Sequence, residues 1–67
     1  MSKETLKVGG MSCGHCEKAV VNALTDIGVG VVQANSSLGE VYVEFDQASV
    51  TLEKIKAEII EAGYEVL

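Results

Sequence analysis

Thr5-Leu6-Lys7-Val8-Gly9-Gly10-Met11-Ser12-Cys13-Gly14-His15-Cys16 leads into Glu17-Lys18-Ala19-Val20, and the period of the sequence changes across this stretch. Thr5 to Val8 reads as a short strand ending at Gly9-Gly10. From Cys16 the apolar positions are Ala19, Val20, Ala23, Leu24 and Ile27, which fall on one face of an α-helix. Gly28 supplies its end. Strand, loop and helix thus follow within the first half of the chain.

The second half repeats the pattern. Val29 to Ser36 is β-branched at first and weakens into Asn35-Ser36-Ser37, with Leu38-Gly39 completing a hairpin turn. Val41, Val43 and Phe45 then alternate with Glu40, Tyr42 and Glu44, a strand with one wet face and an exposed Tyr42. Thr51 caps a second helix with Glu53 in its first turn. Leu52, Ile55, Ile59 and Ala62 form its apolar stripe, Gly63 caps its end, and Tyr64 to Leu67 gives a last strand. Strand, helix, strand, strand, helix, strand predicts an α/β (α+β) fold. Right-handed crossovers make it a ferredoxin-like βαββαβ sandwich, an antiparallel four-stranded sheet with two helices on one face.

The chain has 67 residues, so a single domain over 1–67 is expected. A chain of this size buries only about 60% of the surface it exposes when unfolded, which argues against a large enclosed active site. The formal net charge of −5 makes nucleic acid a poor partner, because phosphate binding needs clustered Lys and Arg. No segment approaches the roughly 18 apolar residues of a membrane span, so no direct membrane insertion is expected. Met1 to Lys7 lacks the apolar stretch of a secretory signal, and the cytoplasm is the simplest location. There, paired cysteines serve metal or redox chemistry rather than a structural disulfide.

The chain has only two cysteines, Cys13 and Cys16. Cys13 falls in the loop and Cys16 on the first helical turn, so both sulfurs can reach one soft ion, or each other. The unpaired N–H groups and positive dipole of a helix start favour thiolates. Two thiolates without a hard ligand suit Cu(I), which accepts low coordination. Structural Zn(II) normally takes four ligands, and Ser12 is a poor source of a hard oxygen.

The run Gly10-Met11-Ser12-Cys13-Gly14-His15-Cys16 resembles the G-M-x-C-x-x-C motif of the heavy-metal-associated domain, found in copper chaperones and copper-transporting P-type ATPases. The resemblance extends through Gly28-Val29, Gly39 and Glu61-Ala62-Gly63-Tyr64, and His15 and Tyr64 are similar to the bacterial copper-chaperone branch. It implies Cu(I) held by Cys13 and Cys16 and passed by ligand exchange to the metal-binding domain of a P-type ATPase. It also implies that Met11 is a buried anchor for the loop. Ser36 departs from the family, which usually has an apolar strand residue there, and this puts local packing in doubt.

Other residues have bland readings beside functional ones. Met11 as a thioether ligand is weaker than Met11 packed under the loop. His15 reads as solvated or supporting rather than as a third ligand, with ligation mainly in dimers or copper-rich forms. Tyr64 either hydrogen-bonds a sulfur or shields the metal, or else caps the core edge. Glu40, Glu44, Asp46, Glu53, Glu58 and Glu61 read as solvated charges, as does Lys18.

A copper carrier, not an enzyme, is therefore the leading expectation. The alternatives are a domain excised from such an ATPase, a mercury-binding protein, or a thiol–disulfide oxidoreductase. The last is weakened by the absence of any proline. A monomer is expected without metal, and a copper-bridged homodimer at high loading.

Overall fold

The computed structural model describes residues 1–11 and 14–67. Its elements are β1 (Ser2–Gly9), α1 (Gly14–Asp26), β2 (Val31–Asn35), β3 (Glu40–Phe45), α2 (Leu52–Glu61) and β4 (Glu65–Val66). The four strands form one sheet in the order β2-β3-β1-β4. Every neighbouring pair is antiparallel. This is the ferredoxin-like βαββαβ architecture that the alternating periods predict.

One face of the sheet meets the helices. Leu6 and Val8 of β1 and Val41, Val43 and Phe45 of β3 form one cluster with Val20 and Leu24 of α1 and Ile55 and Ile59 of α2. Taking such an aliphatic side chain fully out of water contributes roughly 1.5–3 kcal/mol, so this cluster is the main source of stability. The alternation read from Val41, Val43 and Phe45 is obeyed, since all three are buried.

The opposite face is wet and carries cross-strand charge pairs. Lys3 stands opposite Glu44, Thr5 opposite Tyr42 and Lys7 opposite Glu40. Lys7 Nζ and Glu40 Oε2 are 2.7 Å apart. Tyr42 is half-buried rather than exposed. Its hydroxyl donates to Glu44 Oε2 at 2.8 Å. The carboxylate raises the pKa of the phenol above its ordinary value, with burial as a lesser cause. Glu40 and Glu44 are therefore partnered, not simply solvated.

Several boundaries and faces differ from the sequence-based expectation. β1 begins at Ser2, because Ser2, Lys3 and Glu4 find partners in Phe45, Glu44 and Val43. Local composition cannot show that pairing. α1 begins at Gly14, ahead of Cys16. β2 runs only from Val31 to Asn35. Val29 is buried but lies outside the strand, its N–H bonded to the carbonyl of Leu24 at 3.1 Å. Ala19 and Ala62 are exposed, so neither belongs to its helix's buried stripe. A methyl group gives too little apolar area to pull a helix face inward.

Both helices end the same way. After α1, Gly28 has a φ of +101°. Gly28 N–H bonds to Thr25 O at 3.1 Å, and Val29 N–H to Leu24 O at 3.1 Å. After α2, Gly63 has a φ of +101°. Gly63 N–H bonds to Ile60 O at 3.0 Å, and Tyr64 N–H to Ile59 O at 3.3 Å. Each is a Schellman ending with glycine in the left-handed position. At the start of α2, Lys54 N–H donates to Thr51 Oγ1 at 3.1 Å, the predicted cap. Asp46 organises the turn before it, accepting Ala48 N–H at its side chain and Ser49 and Val50 N–H at its carbonyl, each at 2.9 Å.

The antiparallel register sets which loops meet. β1 ends at Gly9 and β3 starts at Glu40 opposite Lys7, so the turn 36–39 lies beside the exit of β1. That end of the molecule also holds the start of α1 and the exit of α2.

Candidate metal centre

The site is built where β1 gives way to α1. Gly10 has a φ of +88°, which turns the chain off the strand. Met11 then points into the core and is only 4% exposed. Ser12 and Cys13 lie outside the described residues, so the expectations placed on them rest on the sequence. Cys16 is in the first turn of α1, half-buried and packed against the core cluster. The N–H groups of that turn lack intrahelical acceptors and give the helix start partial positive character, which favours a thiolate.

His15 is exposed on the same turn. Tyr64 is half-buried and packs on the core. A β-carbon at Gly10 would stand 3.7 Å from Tyr64 Cδ1, so the phenol ring flanks the root of the cysteine loop. The fold thus brings Gly10, Met11, Cys16 and Tyr64 to one end, with His15 on the rim. Among the described residues, no three His, Cys, Asp or Glu side chains converge on a point. A hollow of about 310 Å³, lined in part by Thr5, Gln33, Leu38 and Tyr42, lies on the wet face of the sheet and includes no cysteine.

Glu17 is the residue that sequence reasoning missed. Its Oε2 accepts the backbone N–H of Ser36 at 2.6 Å, across 19 positions of chain. That bond first, and the Ser36 hydroxyl second, hold the Glu17 carboxyl below its ordinary pKa. The polar residue at position 36 is therefore accommodated by a specific acceptor. No short-range spacing signals such a pairing; the nearest hint is an acidic residue beside the second cysteine.

Comparison with known proteins bears on the family and the fold. Residues 5–65 match the heavy-metal-associated domain family. The chain is 44% identical over 68 aligned residues to the copper chaperone CopZ of Staphylococcus aureus, covering all of both chains. The solved structure of a CopZ metallochaperone superposes with a TM-score of 0.95 at 42% identity, covering 98% of this chain and all of that one. A copper binding domain from HMA7, a P-type ATPase, superposes with a TM-score of 0.94 at 34% identity, covering all of this chain and 95% of that one.

Proposed function

This chain belongs to the heavy-metal-associated domain family, and from that premise we propose that it is a copper chaperone. It carries Cu(I) as cargo on Cys13 and Cys16 and delivers it to the metal-binding domain of a copper-transporting P-type ATPase. One observation carries the reading. The run Gly10 to Cys16 sits in a chain that aligns end to end, at 44% identity, with a copper chaperone.

Delivery proceeds by ligand exchange. A thiolate of the partner adds to the ion held by Cys13 and Cys16, giving three sulfurs around it. One S–Cu bond to this chain then breaks, and the released thiolate takes a proton from water. A second exchange completes the transfer. Copper stays Cu(I) throughout, and no covalent bond of a substrate is made or broken. Exchange needs an approachable site, and a loop at one end of a small fold supplies one. The likeness to an ATPase copper-binding domain supports the choice of partner, because two domains of one architecture can face each other across their cysteine loops. A reducing compartment such as the cytoplasm keeps both thiols available.

Met11 supports the loop from beneath, Tyr64 flanks it, and His15 stays outside the ligand set of the monomer. Residues 1–67 act as one domain, monomeric without metal and bridged into a homodimer by copper at high loading. The test is a Cu(I) competition titration of the reduced protein against a strong colorimetric chelator, with Zn(II) in parallel. Tight Cu(I) binding, much stronger than Zn(II) and lost in the Cys13→Ser/Cys16→Ser variant, is the expected result. Weak Cu(I) binding together with metal-independent disulfide reductase activity would overturn the proposal.

A further inference from the structure

The segment that carries the cysteines is held at both flanks by the same four-residue turn. On one side, Val8 near the end of β1 donates its N–H to the carbonyl of Gly39 at 2.7 Å. On the other, Glu17 in the first turn of α1 accepts the N–H of Ser36 at 2.6 Å. Ser36 and Gly39 are the first and last residues of the turn between β2 and β3. That turn is fixed internally, because Leu38 N–H donates to Asn35 Oδ1 at 3.2 Å.

We infer that Glu17 is a positioning residue for the metal loop: it clamps the start of α1 to the turn 36–39 and so sets where Cys16 presents its sulfur. The inference rests on the copper-carrier reading for its purpose, but not for its geometry.

Three physical points carry it. The first turn of a helix is where fraying concentrates, since its N–H groups have no partners within the helix. A carboxylate accepting a backbone N–H is a charge-assisted bond, shorter and stronger than a neutral one. Glu17 follows Cys16 directly, so a rotation of the helix start that displaced Cys16 would have to break this bond. With Val8 anchored to Gly39, the turn acts as a template for the distance the loop must span. The β2–β3 hairpin, which contributes no cysteine, thereby takes part in shaping the site.

The experiment uses the full chain with Glu17→Ala and Glu17→Gln. Glutamine removes the charge but keeps an oxygen that accepts the Ser36 N–H. Hydrogen exchange at the Ser36 amide reads the clamp directly. Alkylation of Cys16 in a Cys13→Ser background, without metal, reads the placement of the thiol. Release of Cu(I) to a chelator from the two-cysteine protein reads the functional consequence. Glu17→Ala is expected to speed Ser36 exchange about tenfold, the loss of one bond to a charged acceptor. It should also change Cys16 alkylation and hasten Cu(I) release, with Glu17→Gln, which keeps a neutral and weaker bond, giving clearly smaller changes than Glu17→Ala in all three.

Unchanged Ser36 exchange in Glu17→Ala overturns the clamp. Loosened Ser36 with unaltered Cys16 alkylation and Cu(I) release overturns the positioning role. Equal effects of Ala and Gln on Cys16 would assign them to charge and overturn the proposal as well. A wild-type protein that fails to hold Cu(I) sinks the carrier reading instead, and the alkylation series still decides whether Glu17 places the thiol.

Discussion

Val50 packs against the ending of α1 at Gly28: its Cγ2 lies 3.4 Å from where a β-carbon on Gly28 would stand, and Gly28 has a φ of +101°. Alanine there would meet Val50 at ordinary contact distance but would have to adopt a left-handed backbone. The left-handed conformation alone costs about 1–2 kcal/mol for a residue with a side chain. At Gly63 the φ is the same, but nothing lies within 4 Å. Gly28→Ala and Gly63→Ala should therefore both destabilise through the backbone, with both losses visible in urea denaturation. A Gly28→Ala midpoint equal to wild type would contradict this account of the helix ending.

The cap of α2 can be tested by two exchanges at one position. Thr51→Ala removes the oxygen that accepts Lys54 N–H and should cost about 1 kcal/mol. Thr51→Ser keeps that oxygen and should retain most of the stability. Equal thermal midpoints for the two variants would mean that the cap contributes nothing.

The two faces of α1 should respond differently. Leu24 is fully buried, and Leu24→Ala is expected to cost about 2–5 kcal/mol through lost burial and the cavity left behind. Ala19 is exposed, and Ala19→Ser should stay within about 0.5 kcal/mol of wild type. Chemical denaturation of both variants in one buffer reads the difference.

Tyr42 supplies a pH dependence. The Glu44 carboxylate beside its hydroxyl raises the phenol pKa. Because the folded value lies above the unfolded one, this contribution is complete below the unfolded pKa near 10 and fades as pH rises through the folded value. In a Tyr64→Phe background, which leaves Tyr42 as the only tyrosine, tyrosinate absorbance should therefore appear at higher pH with Glu44 than with Glu44→Gln. Identical titrations would remove Glu44 as the cause.

The exposed ring of His15 on the first turn of α1 leads to a negative expectation. His15→Ala should leave the Cu(I) affinity of the monomer, and its pH dependence, unchanged in chelator competition. A weakened affinity would add an imidazole to the ligand set.

What could be read from sequence follows from the range of the interactions. Val41, Val43 and Phe45 announce their strand because burial and period coincide within a few residues, and Thr51 announces its helix because a cap acts over three. The strand at Ser2–Glu4 was hidden because its cause is pairing with Val43–Phe45, far along the chain. Ala19 and Ala62 misled because alanine fits either face of a helix. At the site, the motif points to Cys13 and Cys16, and the structure describes the latter of the two. Glu17 was invisible because its partner is a backbone N–H, which every residue but proline offers.

The paired charges on the wet face of the sheet have an electrical consequence. Lys3 and Lys7 balance Glu44 and Glu40 there, and Glu65 beside Gly9 adds one negative charge, so four of the five units of formal net negative charge reside on the rest of the molecule. Ionic screening at physiological salt acts over about 8 Å. The molecule measures 31 × 19 × 19 Å, so charges on the helix side are largely screened from solvent at the back of the sheet. A visitor to the back of the sheet meets a face with a single net negative charge, whereas one approaching the helices meets most of the molecule's anionic charge. The isoelectric point, an average over the whole surface, describes neither encounter.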